Sequence, residues 1–399
     1  MTDSPEPPAG APRLPRDAAV RFIVALGFVS LFADMTYEGA RSVIGPFLAV
    51  MGATAAQVGF IAGLGEMAAA SLRFFSGRFA DRSRAYWPLT FLGYGLNIIV
   101  VPALAFAGSW QAAALLVVAE RTGKSVRGPA RDVLLSGATA EVGHGWGFGL
   151  HAAMDQAGAV LGPLLVVFAV SRAHRFAPAF LMLAAPAVAA VIALVLARAQ
   201  RPAAPAAPAP EPAAQTPGLF WTYAAAAGLL ALGFADFSLL AYHIEKAALM
   251  PAAMIPLAYA GAMAVNGITA LLFGRLFDRI GLLALVAGIV VSALALPLGF
   301  LGGPALVAVG IGCWATGLGA QDGVLRAGIA RITTVSKRGA AFGAFNGVFG
   351  IAWFAGSVTM GLLYERSRVA LVIFGLAAHA AAALVFLYLR RRLPAPAKK

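Results

Sequence analysis

Long stretches with very few charges recur along this chain, and they constrain its fold more than any motif does. A helix crosses about 30 Å of hydrocarbon in about 20 residues. Twelve stretches of at least that length can be read. They cover 20–50, 55–79, 87–107, 110–136, 145–170 and 176–197, then 218–244, 252–277, 282–301, 304–331, 340–364 and 369–389. Of 399 residues, 60% are hydrophobic and 12% charged, against about 25% charged in a soluble domain. So few charges cannot cover a water-facing surface of this size, so apolar surface must face lipid. The expected class is an all-α membrane protein of twelve transmembrane helices. A soluble enzyme, a secreted disulfide scaffold and a disordered chain are excluded.

The cations set the expected orientation. Cytoplasmic ends of membrane helices carry an excess of Lys and Arg. With the N-terminus inside, 21 of the 30 Lys and Arg fall at inner ends, 5 at outer ends (Arg172, Arg175, Lys246, Arg366, Arg368) and 4 within spans (Arg41, Arg73, Arg121, Lys124). Both termini are therefore expected in the cytoplasm, in a bacterial inner membrane. The bias also accounts for most of the net charge of +13, so no nucleic-acid partner is called for. The Pro-rich start has no signal-peptide core and reads as a tail over 1–19. A six-span bundle follows over 20–200, then a Pro/Ala linker over 201–217, a second bundle over 218–389 and a basic tail over 390–399.

The two halves resemble each other. Phe32-Ala33-Asp34 in span 1 recurs as Phe234-Ala235-Asp236 in span 7. Gly77-Arg78-Phe79-Ala80-Asp81-Arg82 after span 2 recurs as Gly274-Arg275-Leu276-Phe277-Asp278-Arg279 after span 8. Phe148-Gly149 in span 5 recurs as Phe342-Gly343 in span 11. Three matches in order, each at the same position in its half, indicate a duplication. Parallel repeats of this kind place a substrate site near the midplane, between the halves.

On these residues the chain resembles the major facilitator superfamily along its whole length. Twelve spans, cytoplasmic termini and a central linker fit the pattern of two pseudo-symmetric six-helix bundles. GRFADRSR after span 2 resembles the family's signature Gly-x-x-x-Asp-Arg-x-Gly-Arg through Gly77, Asp81 and Arg82, although the second Gly is missing. The copy GRLFDRIG supplies Gly274, Asp278 and Arg279. The resemblance implies that this loop is a cytoplasmic gate that locks the outward-open state through charge pairs; the alternative is ordinary interfacial charge. Gly158-x-x-x-Gly162-Pro163 in span 5 resembles a motif associated with proton-driven antiporters, although small residues at this spacing also serve plain helix packing. ERTGKSVRGPARD in span 4 resembles a subgroup of bacterial permeases. Spans 1, 4, 7 and 10 would line the cavity.

Charges inside the membrane need a partner or a wet cavity, since each costs about 2.5–3.5 kcal/mol at the bilayer centre. Span 1 carries Asp34 and Glu38 at i, i+4, then Arg41. Two such carboxylates raise each other's proton affinity and suit a proton site. Alternatively Arg41 simply neutralises Glu38 at i+3. Span 4 carries Glu120, Arg121 and Lys124 near mid-depth. Its Arg127 and Arg131 are expected to snorkel to the interface. Arg121 and Lys124 could pair with Asp34 or Asp155, or receive an anionic solute. Asp236 and Asp322 occupy matching helices of the second half, with Asn266 and Gln321 nearby as polar candidates. Glu66 and Asp155 read rather as structural partners. Tyr37, Trp314 and Trp353 could line the cavity. The five histidines show no metal spacing, the single Cys313 allows no internal disulfide, and no nucleophile, phosphate loop or cofactor motif appears. The sequence thus points to no enzyme, metal or cofactor. It points to a monomeric alternating-access transporter of a small solute, most readily a proton antiporter working in export. Two alternatives are proton-coupled uptake of an anionic metabolite and a membrane sensor that moves no solute.

Overall fold

The computed structural model describes residues 15–173, 175–200, 218–333 and 338–392. The predicted linker 201–217 and the outermost tails lie outside these residues, as do His174 and the side chains of Asp81 and His144. Fourteen α-helices make twelve crossings. The first half comprises α1 (Arg16–Val50), α2 (Ala55–Ser83), α3 (Tyr86–Ala103), α4 (Trp110–Val142), α5 (His144–Ala173), and α6 (Ala177–Met182) with α7 (Ala184–Ala199) as one crossing. The second half comprises α8 (Gly218–Gly233) with α9 (Phe237–Lys246), α10 (Met254–Ile280), α11 (Leu283–Leu301), α12 (Pro304–Ile332), α13 (Arg338–Arg366) and α14 (Arg368–Arg392). No strand occurs among the described residues. An even number of crossings puts both described chain ends on one side, here called the terminal end.

Local chemistry fixes the turns. The Thr54 hydroxyl accepts from the Gln57 amide at 3.3 Å, and the Gln57 carboxamide oxygen accepts from the Thr54 amide at 2.8 Å. This capping box satisfies orphan donors and starts α2. The Ser109 hydroxyl accepts from the Ala112 amide and starts α4. Outward faces are apolar: Ile99, Leu115, Leu271 and Leu384, on four different helices, are each about two-thirds exposed or more. Helix by helix, eleven crossings are long and apolar enough to span a bilayer unaided. The twelfth, α4, carries Glu120, Arg121, Lys124, Arg127, Arg131 and Asp132; it turns the first five toward protein or the cavity and leaves Asp132 exposed.

Span 7 departs from the sequence reading. The run 218–244 was expected to be continuous, but Phe234-Ala235-Asp236 is non-helical and separates α8 from α9. No proline marks this break. The Asp236 carboxylate caps α9 by accepting from the Ser238 amide at 2.8 Å, and Trp314 Nε1–H donates to the Ala235 carbonyl at 2.9 Å. Freed backbone groups are tolerated at membrane depth where protein satisfies them.

Glycine seams hold each half together and hold the halves to each other. A Cβ on Gly162 would stand 2.1 Å from the Met35 carbonyl oxygen, and one on Gly158 2.3 Å from that of Leu31, so α5 lies directly on α1. In the second half a Cβ on Gly356 would stand 2.2 Å from the Leu232 oxygen, where α13 lies on α8. Spans 1 and 5 thus meet as spans 7 and 11 do, which extends the duplication to Gly356, a residue no motif identified. Between halves, Gly45 abuts Ser238, Gly59 abuts Ser357 and Gly361 abuts Ala55. These three contacts sit at the end opposite the termini. The Ala56 amide also donates to the Glu365 carboxylate there, at 2.9 Å.

Gly162→Ala should lower stability by about 1–3 kcal/mol, the usual cost of forcing atoms into a packed site. Gly149→Ala, which meets open space, should be neutral. Thermal unfolding of the detergent-purified chain, followed by size exclusion, distinguishes the two.

Candidate functional site

Between the halves lies a cavity of about 360 Å³. It runs from mid-depth, at Asp34, Glu38 and Tyr259, toward the terminal end, at Arg73, Arg326 and Phe342. At its deep end is a network of buried ions. Arg41 on α1 reaches Glu66 on α2 at 3.1 Å and Asp236 at the head of α9 at 3.3 Å. Arg121 on α4 shares Glu66 at 3.6 Å and takes Glu120 at 3.4 Å. Lys124 reaches Glu38 at 3.8 Å, and its ammonium sits 3.8 Å above the Tyr37 ring. Tyr259 on α10 donates to Glu38 at 2.5 Å. Two of these links, Arg41–Asp236 and Tyr259–Glu38, cross from one half to the other. Gln156 on α5 adds a third by donating to the Met263 carbonyl on α10.

Several expected partners are different in the structure. Arg41 makes no ion pair with Glu38, because its guanidinium turns away from its own helix toward α2 and α9. Arg121 and Lys124 pair with neither Asp34 nor Asp155; nearer carboxylates on α1, α2 and α4 hold them. Glu66, expected to be one structural pair, serves two arginines. Arg127 does not snorkel. It is 2% exposed, with its guanidinium 4.4 Å over the Tyr94 ring, where the cation–π contact takes the place of water.

Three acids lie apart from that network. Asp34 lines the cavity at 8% exposure. No ion pair with Asp34 occurs among the described residues. Asp155 stands 3.5 Å from His151, whose other ring nitrogen lies 2.9 Å from the Ser30 hydroxyl, which Arg131 approaches at 3.0 Å. Asp322 accepts from Asn266 at 3.3 Å and opens to the cavity. The span-5 motif lies immediately behind Asp34: a Cβ on Gly158 would stand 2.9 Å from the Asp34 Cβ. Trp314, Trp353 and Gln321 also face the cavity, whereas Tyr37 lies under Lys124.

The residues expected to form a gate sit at the terminal end. A Cβ on Gly77 of α2 would stand 3.4 Å from the Pro129 Cβ of α4, and one on Gly274 of α10 would stand 3.9 Å from the Gly323 carbonyl oxygen of α12, so the repeated glycines occupy equivalent seams. Arg82 and Arg279 are exposed and make no ion pair among the described residues. Sequence reasoning gave no site role to Tyr259, Arg73 or Arg326. Arg73 was visible as a charge within a span. Nothing in the sequence marked Tyr259, because a tyrosine in a membrane helix is ordinarily packing.

The model of the Major Facilitator Superfamily matches residues 26–321. A protein of Mycobacterium tuberculosis is 39% identical over 397 residues, 97% of each chain. The chain belongs to the major facilitator superfamily. Solved structures agree on the fold. The nucleoside transporter NupG superposes with a TM-score of 0.72 at 13% identity, covering 92% of this chain and 98% of that one. A bacterial homologue of the lysosomal transporter Spinster, in an inward-facing and unoccupied conformation, gives 0.70 at 13% identity, covering 96% and 100%. As a superfamily member the chain is a multi-pass secondary transporter of a small solute, not an enzyme.

Removing one member of a buried ion pair leaves its partner uncompensated, typically at about 3–5 kcal/mol. Arg41→Gln should therefore destabilise the chain by that order, and Arg41→Gln with Asp236→Asn by less than the two single changes summed. Thermal unfolding of the wild-type chain and the three variants in detergent measures the coupling.

Proposed function

We propose that this superfamily transporter exports a small organic solute by proton antiport, with Asp34 as the proton site. One observation carries the reading: Asp34 is a mid-depth cavity carboxylate of span 1 that makes no ion pair among the described residues, while Glu38 and Glu120 each pair with one cation and Glu66 with two. A carboxylate that is sheltered and unpaired favours its neutral form, so it can take up and release a proton. The Gly158-x-x-x-Gly162-Pro163 stretch supports the same reading, because it brings the α5 backbone against the turn that carries Asp34.

The cation bias places both termini in the cytoplasm of a bacterial inner membrane. With that orientation the cavity mouth faces inward, and the glycine contacts at Gly45, Gly59 and Gly361 seal the periplasmic end. Exposed Arg82 and Arg279 suit this state, since the gate loops would be parted. Alternating access requires the far-end contacts to yield as the gate closes, and coupling requires proton and solute to bind the two states differently. The residues in named roles are Asp34 for the proton, Arg41 and Asp236 for the closed outer end, and Gly77, Asp81, Arg82, Gly274, Asp278 and Arg279 for the inner gate. Uptake of an anion held by Arg121 and Lys124 is less well supported, because carboxylates already hold both.

In proteoliposomes with an imposed pH gradient, Asp34→Asn should abolish pH-driven flux of any solute the wild-type chain moves, while solute exchange without a gradient persists. Full pH-driven flux in Asp34→Asn would reject Asp34 as the proton site. No solute-dependent proton movement by the wild-type chain across a broad panel would reject antiport and favour a sensor.

A further inference from the structure

The deep end of the cavity is saturated with carboxylates, but its mouth is not. Arg73 on α2 and Arg326 on α12 both line the cavity. They come from opposite halves and lie toward the terminal end. Neither makes an ion pair among the described residues, and Arg73 keeps a buried Nε donor without an acceptor. Arg73 is half-buried and Arg326 is exposed at the mouth. Asp322 lies one turn from Arg326 on the same helix and offsets part of its charge without forming an ion pair; its hydrogen-bond partner is Asn266.

Two arginines that line one cavity from opposite halves without a shared anion repel, and a guanidinium is not deprotonated in a protein. Such a pair gains most from an oxyanion placed between the two planar forks, each of which offers parallel donors. The second-half wall of the cavity is aromatic, running from Phe342 and Phe345 near the mouth through Phe349 to Trp353 and Trp314 deeper in. A cavity of about 360 Å³ lies within the range that holds small organic ligands.

We propose that the transported solute is a small organic anion with an aromatic or apolar body, whose carboxylate or phosphate bridges Arg73 and Arg326 and whose body lies on the second-half aromatic wall. This rests on the transporter reading above and assigns its substrate class; it does not depend on the direction of transport or on Asp34. Bridging both halves gives the solute a different hold on each conformation, since the distance between α2 and α12 must change when the halves rock. That difference is what coupling requires.

The test uses the purified full chain in nanodiscs, with binding read from quenching of tryptophan fluorescence and from thermal shift. The probes share a naphthyl body and differ in head group: carboxylate, phosphate, neutral amide and ammonium. Chloride and inorganic phosphate are run alone. The carboxylate or the phosphate should bind at least about tenfold more tightly than the amide or the ammonium, and which of the two wins names the head group. Charge-assisted bonds of ordinary strength correspond to such a factor. Arg326→Gln and Arg73→Gln should each lose about tenfold or more for the anion and leave amide binding unchanged. Because Arg73 is more buried, Arg326→Gln decides the matter if Arg73→Gln does not fold. Preference for ammonium or amide, unaltered anion affinity in Arg326→Gln, equal binding of bare inorganic ions, or no binding by any anionic probe would each overturn the proposal. Anion binding without pH-driven flux would keep this inference and reject proton coupling. Flux of cationic solutes alone would do the reverse.

Discussion

The arrangement depends on one constraint: ions at mid-depth in a membrane protein must be neutralised by other parts of the same chain. Arg41 meets it by bridging Glu66 and Asp236. Neither acid is on its own helix, and one belongs to the other half. An interaction that holds the fold together therefore also holds the halves in one relative position. At an exposed site such a pair would contribute little. Here, removal of one partner strands the others in a site that water reaches poorly. The break in span 7 follows from the same requirement. By interrupting the helix at Asp236, the chain obtains a carboxylate that both caps α9 and receives Arg41.

Close backbone approach is the second constraint. Lipid supplies no hydrophobic drive between helices, so packing through small residues takes its place. The seams at Gly162 on Met35 and at Gly356 on Leu232 are rigid and lie within halves. Those at Gly45, Gly59 and Gly361 lie between halves, at the end opposite the termini. The former suit bodies that move as units. The latter suit a contact that either forms fully or parts, because two backbones at touching distance have little room for a partial slip.

The sequence made the architecture legible because membrane burial leaves a long, unambiguous signal. Span number follows from it, and the duplication from the three repeated motifs; the expected lining by spans 1, 4, 7 and 10 holds only in part, because spans 2, 5, 8 and 11 also line the cavity and span 7 supplies none of its lining residues. The partners of those charges were not legible. Helical spacing relates Arg41 to Glu38, one turn away, but says nothing of α9, about two hundred residues further on. Arg127 illustrates the same limit. At a helix end it reads as an interfacial cation, and only the placement of Tyr94 and Tyr37 explains how it stays buried. The break at Phe234–Asp236 carries no proline. Its one signal was the residue pair Asp236 and Ser238, an N-cap pattern hidden inside an apolar run.

Charge is also segregated along the cavity axis. At mid-depth, Arg41, Arg121 and Lys124 meet Glu38, Glu66, Glu120 and Asp236, and Asp34 adds a further acid beside them. At the mouth, Arg73 and Arg326 stand without such partners. A proton arriving at Asp34 and an organic anion arriving at the mouth would therefore address different residues and still influence each other. Both alter the net charge of one low-dielectric space, where fields are screened less than in water. Coupling on the proposed mechanism needs no shared binding residue. It needs only that rocking of the halves change the spacing between the acidic floor and the basic mouth, and these two groups draw their residues from both halves.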